Sequence, residues 1–171
     1  MTEVPADALV IGLGGNVGTE AEITARFSRA REALAQLGAV RGAALYRTAA
    51  IGPTQAPFLN TAVRVRLADA TPAELIATVL ELERLLGRDR RGATRWGPRV
   101  IDLDVLVWGM RVIRTPELEL PHPRLAERRF ALRPLVDLLG EDVVLPGMRE
   151  SIGALEQRAS AQGLDLLATS W

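Results

Sequence analysis

From Ala8 to Trp108 the spacing of apolar residues switches between the two-residue period of strands and the three-to-four-residue period of helices. The order of those switches is the strongest constraint on the fold. Ala8 to Leu13 (ALVIGL) is a short apolar run ended by glycines and reads as a buried strand. Residues 19 to 37 set Ile23, Phe27, Ala30, Leu34 and Leu37 at helical spacing before Gly38. Val40 to Tyr46 and Phe58 to Leu67 read as strands, separated by the Gly- and Pro-rich loop RTAAIGPTQAP. Thr71-Pro72-Ala73-Glu74 offers an N-cap, a proline at the first helical position and a glutamate at the third. Leu75, Val79, Leu82, Leu85 and Leu86 then carry an apolar face to Gly87, and a strand from Val100 to Trp108 closes the series. The order β-α-β-β-α-β predicts an α+β fold of the ferredoxin-like plait, an antiparallel sheet with two helices on one face. C-terminal additions follow: a short strand at Arg111 to Ile113, a helix from Phe130 to Leu139 made irregular by Pro134, a small strand at Val143 to Leu145 and a last helix over 150–162. No linker, repeat or low-complexity segment interrupts the chain, so one domain over residues 1–171 is expected.

Composition removes several function classes. Apolar residues make up 48% and the 21 basic side chains balance 21 acidic ones, which suits an ordinary globule and gives no reason to expect a nucleic-acid partner. The absence of cysteine excludes thiolate metal sites and a cysteine nucleophile. No run of 18 apolar residues exists and the N-terminus has no basic segment before its short apolar run, so a cytoplasmic protein without a membrane span is expected. Every basic residue is arginine, so a single arginine carries little weight and only placement gives it meaning.

The stretch RWGPRVIDLD, residues 95 to 104, holds the sharpest signal. In a strand, Asp102 and Asp104 point to the same face with Cα atoms about 7 Å apart, while Ile101, Leu103 and Val105 face the core. Two such carboxylates can serve a pair of cations about 3.5–4 Å apart, as in two-metal phosphoryl chemistry, and hard oxygen ligands suit Mg²⁺. The competing reading is a solvated strand face bearing two acids. The arginines shift the balance: Arg88, Arg90, Arg91, Arg95 and Arg99 crowd directly ahead of the acids, where like charges repel unless an anion or the acids compensate them. Guanidinium forks match phosphate oxygens in pairs, so the combination favours phosphate handling. Trp96-Gly97-Pro98 stiffens the loop between them.

Three further features leave their alternatives open. GLGGNVG, residues 12 to 18, follows a strand and precedes a helix, but the third glycine of a dinucleotide fingerprint falls on Val17. A turn with close backbone packing and a ligand-lining loop both remain. His122, between two prolines, is the only histidine and suits a packing role or a phosphate hydrogen bond. Phe58 and Phe130 are ordinary core candidates or the two faces of a slot for a flat heterocycle; Asn60 shares the strand face of Phe58 and can offer a donor and an acceptor together.

With GLGGNVG, Tyr46-Arg47-Thr48, Gly52-Pro53, Phe58-Leu59-Asn60, Gly87-Arg88, RWGPRVIDLDVLVWG and PHPRLAERRF in this order, the chain resembles the 6-hydroxymethyl-7,8-dihydropterin pyrophosphokinases of folate biosynthesis over nearly its whole length. The resemblance implies Mg²⁺-dependent transfer of a pyrophosphoryl group from ATP to the hydroxymethyl oxygen of the reduced pterin, with release of AMP. By position it implies that Asp102 and Asp104 hold two Mg²⁺ ions. Arg88, Arg90 and Arg99 are expected on phosphates, with Trp96 bracing Arg99, and Glu83, Val105, His122 and Arg128 are expected at ATP. Thr48, Ala49, Ile51, Phe58, Asn60, Asp102 and Phe130 are expected at the pterin, the two phenylalanines sandwiching its ring. Partners are then two small molecules, and a monomer suffices. This chain has Ala49-Ala50 where the family commonly has proline after the threonine, and Gly15 where serine is common. Glu117 and Glu119 stand where basic or hydroxyl side chains often approach the nucleotide, and a longer arginine loop leaves Arg90 and Arg91 competing for one role. An RNA-binding module on the same plait lacks the aromatic strand pattern it would need; another metal-dependent nucleotidyl transferase is the enzymatic alternative.

Overall fold

The two long helices begin where threonine can cap them. In the computed structural model, which describes residues 1–171, α1 (Glu20–Leu34) and α2 (Pro72–Leu85) each open with a capping box. Thr19 and Thr71 accept from the third helical N–H, and Glu22 and Glu74 reach back to the threonine N–H. The remaining elements in chain order are β1 (Thr2–Glu3), β2 (Ala8–Gly15), β3 (Val40–Gly42), β4 (Leu45–Thr48), β5 (Phe58–Arg66), β6 (Asp102–Trp108), β7 (Ile113–Arg114), β8 (Glu119–Leu120), a 3₁₀ turn (Leu125–Glu127), α3 (Arg129–Leu139), β9 (Val143–Val144), α4 (Ile152–Arg158) and β10 (Asp165–Ala168).

The main sheet runs β10-β4-β5-β2-β6, every neighbour antiparallel, with β3 also on β5. Stripped of β10, this is the strand order of the ferredoxin-like plait, as the spacing of apolar residues implies. Register decides what faces where. Leu9, Ile11, Leu13, Val63, Val65, Leu103 and Val105 form one face and pack under α1 and α2 with Phe27, Leu34, Leu75 and Val79. Ala8, Val10, Ala62 and Leu106 form the other face and pack under α3 and α4. A register shift at Val10/Ile11 turns Leu106 and Val107 both toward this second core. Trp108 ends β6 fully buried, its indole N–H donating to the Leu67 carbonyl at 2.8 Å.

Four elements differ from expectation. The strand foreseen over Val40–Tyr46 breaks at Ala43–Ala44, where the Thr61 hydroxyl lies 3.3 and 2.9 Å from the two carbonyl oxygens. β2 runs on to Gly15 because β5 pairs with it to that residue and β6 as far as Gly14. The final β10 was not foreseen; it covers the free edge of β4, and Trp171 beyond it stacks edge-on against Phe27. The last helix is shorter than expected, Ile152–Arg158, and β9 lies parallel to β1. No helix is long and apolar enough to cross a membrane.

Candidate active site

On the face that carries the second core, packing stops at Leu106, and toward Gly14 the sheet lies open as a cleft of about 710 Å³. Gly12 and Gly14 are its floor, and their pairing with Asp104, Ala62, Asp102 and Asn60 sets the acids and the amide on the same face. A Cβ at Gly14 would come within 3.1 Å of the Asn60 Oδ1, and one at Gly15 within 2.8 Å of the Val100 carbonyl. Gly12 to Gly15 are therefore strand backbone, kept bare where the cleft and the Val100 carbonyl approach it, and the chain bends only beyond them, at Val17 and Gly18.

One end of the cleft is aromatic and amidic. Thr48, Ala49, Ile51, Phe58, Asn60 and Phe130, the residues that the resemblance sets at a pterin, all line it. The Asn60 side chain is buried, and its Nδ2 donates to the Thr48 hydroxyl at 2.8 Å. That bond fixes the carboxamide plane and leaves Oδ1 and a second N–H for a ligand edge.

The other end is charged. Asp102 and Asp104 both line the cleft. Burial, and then the neighbouring Asp102 charge, push the Asp104 carboxyl above the usual range, and Arg128, Arg88 and Arg90 only partly offset this. Asp102 is instead held by two arginines: Arg88 Nη1 on Oδ1, and Arg99 Nε 3.7 Å from Oδ2. No three His, Cys, Asp or Glu side chains are placed to hold one metal ion together. Two adjacent carboxylates do fit a hard divalent cation that completes its shell with phosphate and water, because the charge strain on Asp104 is what such a cation would relieve.

A second cleft of about 310 Å³ wraps around β6, the edge strand. Ile76, Val79 and Leu80 of α2 form its apolar wall with Leu103 and Val105, while Glu117, Glu119 and Arg90 form its polar rim. Asp104 and His122 line both clefts, so the two spaces meet there. His122 Nδ1 accepts the Arg124 N–H at 3.2 Å, which leaves Nε2 to carry the proton of the neutral ring. Burial first, and then the charges of Arg128 and Arg124, depress its pKa and favour that neutral form.

The arginine loop sorts its members by contact. Arg99 and Arg95 line the large cleft and Arg90 the small one. Arg91 turns outward to Asp89 with its side chain 94% exposed, so position 90 and not 91 reaches the site. Arg88 lines neither cleft: it lies behind Asp102, donates to the Ile101 carbonyl at 2.6 Å, and its Nε has no partner. Glu83, expected beside a nucleotide, also lines neither cleft. Its buried carboxylate accepts the Leu103 N–H at 2.8 Å and an Arg90 Nη2 bond at 2.5 Å, so it anchors Arg90 to β6. Trp96 does not brace Arg99. Its backbone is left-handed (φ 63°), and Arg95 and Arg124 stack on the indole at 5.3 and 5.5 Å from the ring centroid.

Asn16 and Gln55 are the residues that sequence reasoning missed. The buried Asn16 side chain donates to Gln55 Oε1 and the Ala56 carbonyl, both at 3.0 Å, and accepts the Arg99 N–H at 2.8 Å. Gln55 Nε2 then donates to the Trp96 carbonyl at 2.6 Å. These two amides join the end of β2 to the loop at Gln55–Ala56, 40 residues on, and both to the arginine loop. The signal was an asparagine followed by turn residues, which alone says nothing about partners so distant. Replacing Asn16 with alanine leaves the part-buried Arg99 N–H without its partner and should cost about 1 kcal/mol of stability; urea unfolding midpoints measure this, and a change below about 0.3 kcal/mol would remove the bridging role.

The model of the family described as 7,8-dihydro-6-hydroxymethylpterin-pyrophosphokinase (HPPK) matches residues 10–140. The 2-amino-4-hydroxy-6-hydroxymethyldihydropteridine pyrophosphokinase of Synechocystis is 36% identical over 135 residues, which cover 75% of this chain and 65% of that protein. The protein of the same description from Methylorubrum extorquens is 38% identical over 149 residues, 85% of this chain and 92% of its own. Among solved structures, the wild-type HPPK-DHPS of Plasmodium falciparum with pteroate superposes with a TM-score of 0.67 at 14% identity, over 94% of this chain and 44% of that one, a likeness of fold. The chain therefore spans 65% of the length of the cyanobacterial relative and less than half of the parasite protein.

Proposed function

Because this chain belongs to the 7,8-dihydro-6-hydroxymethylpterin-pyrophosphokinase family, we propose that its two clefts bind a reduced 6-hydroxymethylpterin and ATP. A pyrophosphoryl group passes between them, with release of AMP, in folate biosynthesis. The observation that carries this reading is the meeting of an aromatic, amide-edged cleft and an apolar, arginine-rimmed one at Asp104 and His122.

The flat pterin lies against Phe58 and Phe130, its edge read by Asn60 and by the backbone of Thr48, Ala49 and Ile51. The adenine lies in the smaller cleft against α2 and Val105, and its polyphosphate leads toward Asp104. Asp102 and Asp104 would hold two magnesium ions, which neutralise phosphate charge when bound. Arg90, Arg99, Arg128 and the Nε2–H of His122 approach the phosphate oxygens, and Arg88 keeps Asp102 oriented from behind. The hydroxymethyl oxygen attacks the β-phosphorus, the bond from that phosphorus to the α–β bridging oxygen breaks, AMP leaves, and the hydroxyl proton passes to solvent. These side chains act by position and charge, with no covalent intermediate on the protein. Both clefts are lined by one chain, so a monomer is sufficient.

The test is turnover. With ATP, Mg²⁺ and reduced 6-hydroxymethylpterin, AMP should accumulate, and omission of the pterin should stop it; AMP formation indifferent to the pterin would reject the reading. Within it, Arg90→Ala should raise the KM for ATP roughly 10-fold, the loss of one charge-assisted phosphate contact, while Arg91→Ala stays within about twofold of the parent. Equal effects in steady-state kinetics would show that the loop rearranges to bring both arginines to the nucleotide.

A further inference from the structure

Arg128 joins the 3₁₀ turn to α3, and it does not cap the helix it precedes. The cap comes from 33 residues away: the Arg129 N–H donates to Gln162 Oε1 at 3.0 Å. The same carboxamide donates through Nε2 to the Glu127 carbonyl at 2.7 Å. One side chain thus binds the peptides on both sides of Arg128. Arg129 returns the grip, with Nη1 on the carbonyls of Ser160 (3.2 Å) and Gln162 (2.9 Å) and Nε on the buried Glu156 carboxylate at 2.7 Å. An arginine at a helix N-terminus opposes the helix dipole, so its position there depends on these partners. The neighbours on either side of Arg129, Arg128 and Phe130, both line the large cleft, and Arg128 sits 5.7 Å from the Phe130 ring centroid. Arg128 is not at ease there: burial and the nearby Arg124 charge both work against its protonated form. A free backbone at this hinge would let it swing toward water.

We propose that Gln162, together with Arg129, is a positioning residue that holds Arg128 and Phe130 at the cleft. Its segment, residues 156–163, lies outside the stretch matched by the family model. Although Gln162 lines the cleft, its Oε1 and one of its N–H groups are spent on backbone, so it shapes the wall and does not read the substrate. The identity of what Arg128 and Phe130 touch rests on the proposed function; the clamp itself does not.

The experiment uses Gln162→Ala and Gln162→Met in the full chain, with Arg158→Ala on α4 as a control outside the clamp. Gln162→Met keeps the length of the side chain and loses both backbone hydrogen bonds, so it keeps the test valid should Gln162→Ala fold poorly. Hydrogen exchange at the amides of Arg129 to Ala131 should quicken at least 10-fold in both variants, with the C-terminal half of α3 unchanged. The KM for the reduced pterin should rise roughly 10-fold, more than kcat falls. A merely structural role would instead lower the active fraction, reducing kcat at an unchanged KM. Unchanged exchange at these amides would overturn the clamp, and quickened exchange with an unchanged pterin KM would overturn its positioning role. If the parent chain shows no pterin-dependent turnover, the proposed function fails, while the exchange measurement still decides the clamp.

Discussion

Asp104→Asn should lower kcat on the order of 10³-fold while the folded protein becomes no less stable. Asparagine keeps the shape and one oxygen but removes the charge on which a cation and the polyphosphate depend. The stability half of the expectation follows from the environment. Burial and Asp102 raise the folded pKa of Asp104 above its ordinary value, so its ionised form costs stability once pH rises above the unfolded pKa, and the neutral amide escapes that cost. Asp102 should behave differently, because its charge compensates Arg88 and Arg99, and its loss leaves Arg88 uncompensated behind the cleft. A side chain that weakens the fold yet supports turnover is held for chemistry. Steady-state kinetics and thermal melting at pH 7 make the comparison; parental turnover in Asp104→Asn would end the case for a metal-bearing acid at this position.

Phe130→Ala should weaken binding of the pterin about 30-fold and of ATP by less than about threefold. The ring lines the large cleft and is absent from the small one. Its loss removes roughly 2 kcal/mol of stacking and apolar burial at one ligand only. The nearby Arg128, held by its own backbone position, should keep the phosphate contact proposed for it. Calorimetric titration with each ligand separately reads the split. Equal losses for the two would mean that Phe130 serves the second core, where it also packs, and that the heterocycle lies elsewhere.

Much of the plait was legible because its signals are local. Capping at Thr71, the alternation through Asp102 and Asp104, and the switch from helical to strand spacing are all decided within a few residues. The site was legible where chemistry is dense: the acids, Phe58, Asn60, Phe130, His122 and Arg128 do meet in one cleft. What stayed hidden depends on distant partners. Glycine runs end strands by default, yet Gly14 continues β2 because two strands flank it. Asn16 reads as a turn residue until Gln55, Ala56 and Arg99 surround it. Arg88 and Glu83 carry the residue types of a phosphate and nucleotide site, but tertiary packing turns them inward, to Asp102 and to Arg90. Gln162, in a polar stretch with no periodicity, acquires meaning only from a hinge 33 residues earlier.

If a pyrophosphoryl group, and not a single phosphoryl group, passes to the pterin, the products decide it. Phosphorus NMR of a completed reaction of the parent protein with ATP, Mg²⁺ and reduced 6-hydroxymethylpterin should then show AMP and a pterin diphosphate ester in equal amounts. ADP with a pterin monophosphate would exclude pyrophosphoryl transfer.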